Sequence, residues 1–120
     1  MGVGSMKQSG TTIIKDTAEK PTYAVQRATT VAIYNVTMTL ANTEYSQALP
    51  ANCKKFLIHT RDGTAFRIAF VTGKVATPTE PYFTIPANAS YNEDGIQPAT
   101  LTIYFACVSA GKVVEIIAWS

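Results

Sequence analysis

The feature that most constrains the fold of this 120-residue chain is the lack of helical periodicity from about residue 23 onward. This region is rich in Thr, Val, Ile, Tyr and Phe, which suit a pleated, half-buried surface. Pro and Gly interrupt it at short intervals, and no stretch repeats apolar residues at spacings of three and four. The pattern predicts an all-β chain, folded as an antiparallel β-sandwich of the jelly-roll or the immunoglobulin-like kind.

The chain divides into two parts. Residues 1–22 are mostly polar, with Ile13-Ile14 as their hydrophobic pair, and they predict an extended N-terminal arm that is either flexible or exchanged with a neighbouring subunit. Residues 23–120 are predicted to form one sandwich domain, because a chain of this length builds a single core. Strands are expected at residues 31–40, 44–49, 55–60, 64–71, 82–85, 100–108 and 112–119, with 72–99 as a long connection.

Arg61-Asp62-Gly63 predicts a three-residue hairpin loop with Gly63 in the left-handed conformation. This register places four large apolar side chains on one buried face, in the opposed pairs Ile58–Phe66 and Phe56–Ile68. The other, polar face is then expected to carry His59, Arg61 and Arg67.

Ser109-Ala110-Gly111 predicts a second hairpin of the same type, which would pair Ile103 with Ile117 and Leu101 with Trp119. The opposite face would also be apolar. One face should form the core, and the other should either contact a partner or lie under the arm or the long connection. The predicted oligomer-interface residues are therefore Tyr104, Val114, Ile116, Ile13 and Ile14.

The composition limits the classes of partner that can be expected for this chain. Charged residues make up only 15%, against about 25% in ordinary soluble domains, which indicates either that other subunits cover some surface or that Thr and Asn build the polar face. Lys and Arg are scattered and the net charge is +2, so no nucleic acid is expected. No apolar run is long enough for a membrane span, and no signal peptide is recognised. Cys53 and Cys107 are expected to be free, buried thiols.

The sequence offers little catalytic chemistry. One His and two Cys without close spacing predict no zinc site. His59 lacks a nucleophile motif and is expected to be an ordinary exposed histidine. We therefore predict no catalytic residue, cofactor, metal or small-molecule ligand. Tyr82, Phe83 and Tyr91 in the long connection form a candidate ligand or partner loop, since aromatic rings can stack on a sugar or peptide.

Several groups of residues from Glu44 to Ser120 carry a resemblance, among them Tyr45-Ser46-Gln47-Ala48-Leu49-Pro50-Ala51-Asn52, Arg61-Asp62-Gly63-Thr64-Ala65-Phe66-Arg67 and Val114-Glu115-Ile116-Ile117-Ala118-Trp119. The stretch resembles the small β-sandwich virion structural proteins of tailed bacteriophages. The resemblance implies assembly in the host bacterial cytoplasm and a place in the virion, as a capsid decoration, head-fibre, tail or portal-vertex component. It also implies a homo-oligomer, for example a trimer, that contacts other virion proteins and has no catalytic residues.

The expected function is thus that of a non-enzymatic structural protein of a phage particle, which self-associates and docks on the capsid or tail. The alternative is a carbohydrate- or receptor-binding module that uses the loop of Tyr82, Phe83 and Tyr91. A small glycosidase or esterase is the third hypothesis. It would require two facing carboxylates, or His59 beside a serine and an acid.

Overall fold

The computed structural model describes residues 28–94 and 100–120. Within these residues there is no helix, and the predicted all-β class is confirmed. Eight strands are formed: β1 (Val31–Met38), β2 (Tyr45–Ala48), β3 (Lys55–Thr60), β4 (Phe66–Ala69), β5 (Phe83–Ile85), β6 (Tyr91–Asp94), β7 (Thr102–Ala106) and β8 (Lys112–Trp119).

The strands form two four-stranded antiparallel sheets, which pack as a sandwich. The first sheet has the order β1-β8-β3-β6 and the second the order β2-β7-β4-β5. Four of the pairings are nested, joining β1 to β8, β2 to β7, β3 to β6 and β4 to β5. This is the pairing of a long hairpin rolled up on itself, so the sandwich is a jelly roll and not an immunoglobulin-like domain.

One core fills the space between the sheets, because alternate residues of each strand point inward. Strand β3 buries Phe56, Ile58 and Thr60, while the residues between them are more exposed. Each large apolar side chain that is fully buried stabilises the fold by roughly 1.5–3 kcal/mol. The cluster consists of Met38, Leu49, Cys53, Phe56, Ile58, Phe66, Ile68, Ile85, Ile103, Phe105, Cys107, Val114, Ile116 and Ala118. Both cysteines are free and buried, as expected.

The hairpin predicted at Gly63 is wrong. Gly63 does have a left-handed φ of 82°, but the turn carries the chain from β3 in the first sheet to β4 in the second. The Thr60 hydroxyl donates to the Thr64 carbonyl at 2.6 Å, and the Asp62 carboxylate accepts from the Thr64 backbone N–H at 3.1 Å. The turn is therefore a corner of the sandwich. The four apolar residues predicted to share one sheet face share the core but come from both sheets: Phe56, Ile58, Phe66 and Ile68.

The second predicted hairpin is also wrong, because β7 and β8 belong to different sheets. Ile117 lies between Ile33 of β1 and Leu57 of β3 and does not pair with Ile103. The faces of β8 are inverted relative to the prediction. Val114 and Ile116 are 0% and 1% exposed and point into the core, so they cannot contact a partner of the folded domain.

The outside of the second sheet is partly covered by the chain itself. Arg67 was predicted on a polar face, but it is only 9% exposed. Its Nε donates to the Val75 carbonyl at 2.8 Å, and its Nη2 donates to Asn42 Oδ1 at 3.2 Å. The Glu44 carboxylate accepts from the Gly73 backbone N–H at 2.8 Å. These contacts hold the loop of residues 70–79 against this sheet.

The region predicted as one long connection, residues 72–99, contains two short strands in its described part. Strand β5 lies close to the expected 82–85, whereas β6 was not predicted.

At the other end of the described chain, β1 ends at Met38, two residues earlier than expected. Leu40, the last residue of the predicted strand, lies beyond the end of β1 and is 60% exposed.

Candidate interaction surface

The outward side of the first sheet carries a row of aliphatic side chains. In the strand register, Ile33 of β1 lies directly opposite Ile117 of β8, which in turn lies opposite Leu57 of β3. Ile33 is 68% exposed, and the other two are half-buried. The next row adds Val31, which is 54% exposed, and Trp119. We call the patch formed by Val31, Ile33, Leu57, Ile117 and Trp119 the outer face.

A lysine borders the outer face at Trp119. Lys55 lies opposite Trp119 in the register, and its Nζ is 4.8 Å from the centre of the Trp119 ring. A cation at this distance is attracted by the negative face of the ring, by roughly 0.5–1 kcal/mol at an exposed site. The aromatic ring is thus held at the boundary between the apolar patch and solvent.

A charged cluster borders the opposite side. Glu115 Oε1 is 2.9 Å from His59 Nε2, and Arg61 Nε donates to Glu115 Oε2 at 2.8 Å. The hydrogen bond from Arg61, with a smaller contribution from His59, lowers the pKa of the Glu115 carboxyl below its usual value. Between this cluster and the apolar row lies a depression of about 260 Å³. The arrangement places an ionised carboxylate at the rim of an apolar patch.

The side chains of Phe83 and Tyr91 form an aromatic group on one side of the sandwich. On this side β5 and β6 are the last strands of their sheets. The Phe83 and Tyr91 ring centres are 5.8 Å apart, and Tyr91 is 5.9 Å from the buried Phe56. Phe83 is 56% exposed. The Tyr91 hydroxyl donates to Glu93 Oε1 at 2.7 Å, and this bond is the main reason why the pKa of Tyr91 is raised. Two of the three predicted loop aromatics therefore meet, and the adjacent Tyr82 is 37% exposed.

The predicted interface residues do not form one surface. Tyr104 is half-buried on the second sheet, where it packs against Ala69, Val75 and Ala106. Val114 and Ile116 belong to the core. Ile13 and Ile14 lie outside the described residues, as does the whole of the predicted arm.

Sequence reasoning missed the outer face, although a signal for it exists. Phe56-Leu57-Ile58 and Ile116-Ile117 are consecutive apolar residues within strands. Since neighbouring residues of a strand point to opposite faces, such runs indicate strands that are apolar on both sides. Val31 and Ile33 also stand at the outward positions of an alternating strand.

Other features of the described residues bear on chemistry. Within residues 28–94 and 100–120, no three His, Cys, Asp or Glu side chains are grouped so that they could hold a metal ion. His59 is bonded to Glu115, and its side chain is 39% exposed. The part of the chain that the structure describes also has no helix able to span a membrane.

Comparisons of the chain with models of protein families, with curated proteins and with solved structures found no match.

Proposed function

We propose that the chain is a non-enzymatic structural protein of a phage particle, which associates with copies of itself and docks on a capsid or tail protein. The observation that carries this proposal is the outer face, with Ile33 at 68% and Val31 at 54% exposure beside three half-buried apolar residues. Contiguous exposed apolar patches with polar rims are typical of protein contact sites.

The residues that border the outer face support the same function. Charged side chains stand at the border of the patch, with Glu115, His59 and Arg61 on one side and Lys55 on the other. An apolar centre within a polar border is the usual layout of protein interfaces. The resemblance of residues 44–120 to virion β-sandwich proteins supports the particle as the place of assembly.

The outer face is tested with Ile117→Asp in the full chain. A charge at this half-buried outward position would have to be desolvated in any contact, so we expect the average mass of the assemblies to fall. Sedimentation velocity over a range of concentrations measures it. Val108→Asp is the matched control, because Val108 is 64% exposed and lies outside the outer face. A wild-type protein that stays at the mass of one chain, or an Ile117→Asp variant that assembles like wild type, contradicts the proposal.

The location is tested separately. Particles purified from cells that encode the chain are expected to contain it in stoichiometric amounts, as measured by quantitative mass spectrometry. Particles that lack the chain would contradict the assignment to a virion and would leave open only self-association.

A second candidate function is carbohydrate or receptor binding at the aromatic group. It is favoured by the exposed Phe83 ring beside Tyr91, whose hydroxyl is already oriented toward the Glu93 carboxylate. Such rings can stack on a sugar, while the acid accepts hydrogen bonds from its hydroxyls. The test is a glycan array with wild type, Phe83→Ala and the control Leu40→Ala. Binding that only Phe83→Ala abolishes would support this function, and a blank array would remove it.

A further inference from the structure

Among the residues that the structure describes, strand β1 is the outermost strand of the first sheet. It is hydrogen-bonded to β8 on one side, and no strand of the described residues pairs with its other side. Natural edge strands are usually short, or carry Lys, Pro or a bulge that prevents pairing with another chain. Strand β1 has eight residues, and its sequence VAIYNVTM contains no charge, Pro or Gly. It therefore presents a long row of backbone donors and acceptors that another strand can pair with.

The area of the outer face gives a reason for two chains to pair along β1. Four strands spaced about 4.8 Å apart, with eight residues rising about 3.3 Å each, cover at most roughly 19 by 26 Å, or about 500 Å². A standard protein interface buries about 800 Å² on each partner. The flat footprint of one face is below this size, and two faces joined side by side double the footprint to about 1,000 Å².

We propose that two copies of the chain pair antiparallel along β1 across a two-fold axis, which joins their first sheets into one eight-stranded sheet. This inference rests on the proposed function, because it names the partner in self-association. A two-fold contact requires a surface that is complementary to itself, and an antiparallel strand pair satisfies this condition. Since β1 carries no charge, the two copies meet without like charges in opposition.

The register is inferred from the faces of the strand. Thr29 and Thr30 both donate their backbone N–H groups to the Ser120 carbonyl, at 2.7 and 2.8 Å, so both face β8 and the regular free edge begins at Val31. A register centred on Ile33 sets the most exposed apolar side chain of the strand opposite Ile33 of the partner subunit. Outward residues meet outward residues in this register, so the aliphatic row continues across the axis.

The test uses opposite charges at the axis. In Ile33→Lys, and separately in Ile33→Glu, like charges oppose each other, so each variant alone is expected to have the mass of one chain by light scattering. An equimolar mixture pairs Lys with Glu and is expected to at least double that mass. Ile33 is 68% exposed, so both variants should still fold, with the circular dichroism spectrum of wild type. Val108→Lys, at another exposed apolar position, is the control and should assemble like wild type.

The outcomes separate this inference from the proposed function. A mixture that stays at the mass of one chain, or a single variant that keeps the wild-type mass, overturns pairing along β1. If Ile117→Asp still reduces assembly in that case, the proposed function survives. The β1 pairing further predicts that wild type forms assemblies larger than two chains through contacts of its outer faces, and that Ile117→Asp reduces these assemblies to the mass of two chains. A wild-type protein that is a single chain at every concentration overturns both.

Discussion

Gly63 occupies a corner of the sandwich where both its backbone angle and its surroundings favour glycine. Its φ is 82°, a conformation that side chains with a Cβ disfavour. A Cβ at this position would also meet the end of the exposed Asn88 side chain, which would have to rotate away. The Asn88 backbone N–H donates to the Gly63 carbonyl at 2.8 Å, so the two segments cannot move apart without loss of that bond.

We predict that Gly63→Ala destabilises the fold more than Gly111→Ala. Gly111 has a similar φ of 79°, but a Cβ there would meet no atom within 4 Å, so only the backbone cost of about 1–2 kcal/mol applies. Urea unfolding measures both changes. Adding Asn88→Gly to Gly63→Ala removes the contact with the Asn88 side chain and should reduce the cost to that of Gly111→Ala. Equal costs for the two alanine variants would show that this contact has no cost.

At the scale of single residues, the backbone angles of glycines and the burial of cysteines could be predicted from the sequence. Gly63 and Gly111 both adopt the expected left-handed conformation, and Cys53 and Cys107 are free and buried as expected. Backbone angle and hydrophobic burial depend on the residue and its close neighbours, so residue type predicts them. Arg67 shows the limit, because its burial depends on a loop that lies over the second sheet.

At the scale of elements, the loop of residues 70–79 depends on Arg67. The guanidinium donates to the Val75 carbonyl and to Asn42, which lie in different connections. Removing a buried donor leaves its acceptors without partners, at a cost of about 1–3 kcal/mol.

We therefore predict that Arg67→Ala lowers the free energy of unfolding by about 1–3 kcal/mol and speeds proteolytic cleavage within residues 70–79. Urea titration and limited proteolysis with mass spectrometry measure the two effects. Arg61→Ala is the control, since the Arg61 side chain is 56% exposed and such ion pairs contribute about 0–1 kcal/mol. The same cleavage rate in both variants would mean that Arg67 does not hold the loop.

Strand positions were largely predictable, but the assignment of strands to sheets was not. Alternation of side chains in β1 and β3 identifies the inward residues whichever sheet they join. A three-residue turn ending in glycine can close a hairpin or turn a corner between sheets, and the local residues of the Gly63 turn satisfy both. The hairpin predicted at Gly111 placed the inward residues of β8 on its outward face. For this reason Val114 and Ile116, which lie in the core, were predicted to contact a partner.

At the scale of the whole molecule, two carboxylates with basic partners join β8 to the end of β3 and the turn that follows it. The Asp62 carboxylate accepts from Lys112 Nζ at 2.8 Å, and Glu115 bonds Arg61 and His59. The hydrogen bond from Lys112, followed by those from Thr64, holds the pKa of Asp62 well below its usual range. The Glu115 pKa is lowered too, chiefly by Arg61.

Acid is therefore predicted to destabilise the fold. Below about pH 4 the unfolded chain protonates these carboxyls while the folded protein keeps them ionised, so the free energy of unfolding falls as the pH decreases toward the folded pKa values. Melting temperatures between pH 6 and pH 2 measure the effect. The double variant Asp62→Asn, Glu115→Gln should show a shallower decline, and Glu80→Gln should follow wild type. An unchanged slope in the double variant would contradict this role.

The nested strand order also affects how the protein is made. Strand β8 lies between β1 and β3 and hydrogen-bonds to both, yet it is the last of the eight strands to leave the ribosome. Until residues 112–119 have emerged, β1 and β3 have no central partner, and their apolar side chains remain open to association with other nascent chains. The first sheet can therefore be completed only after residues 112–119 have emerged, and messages truncated before codon 112 should yield aggregates rather than a smaller soluble domain.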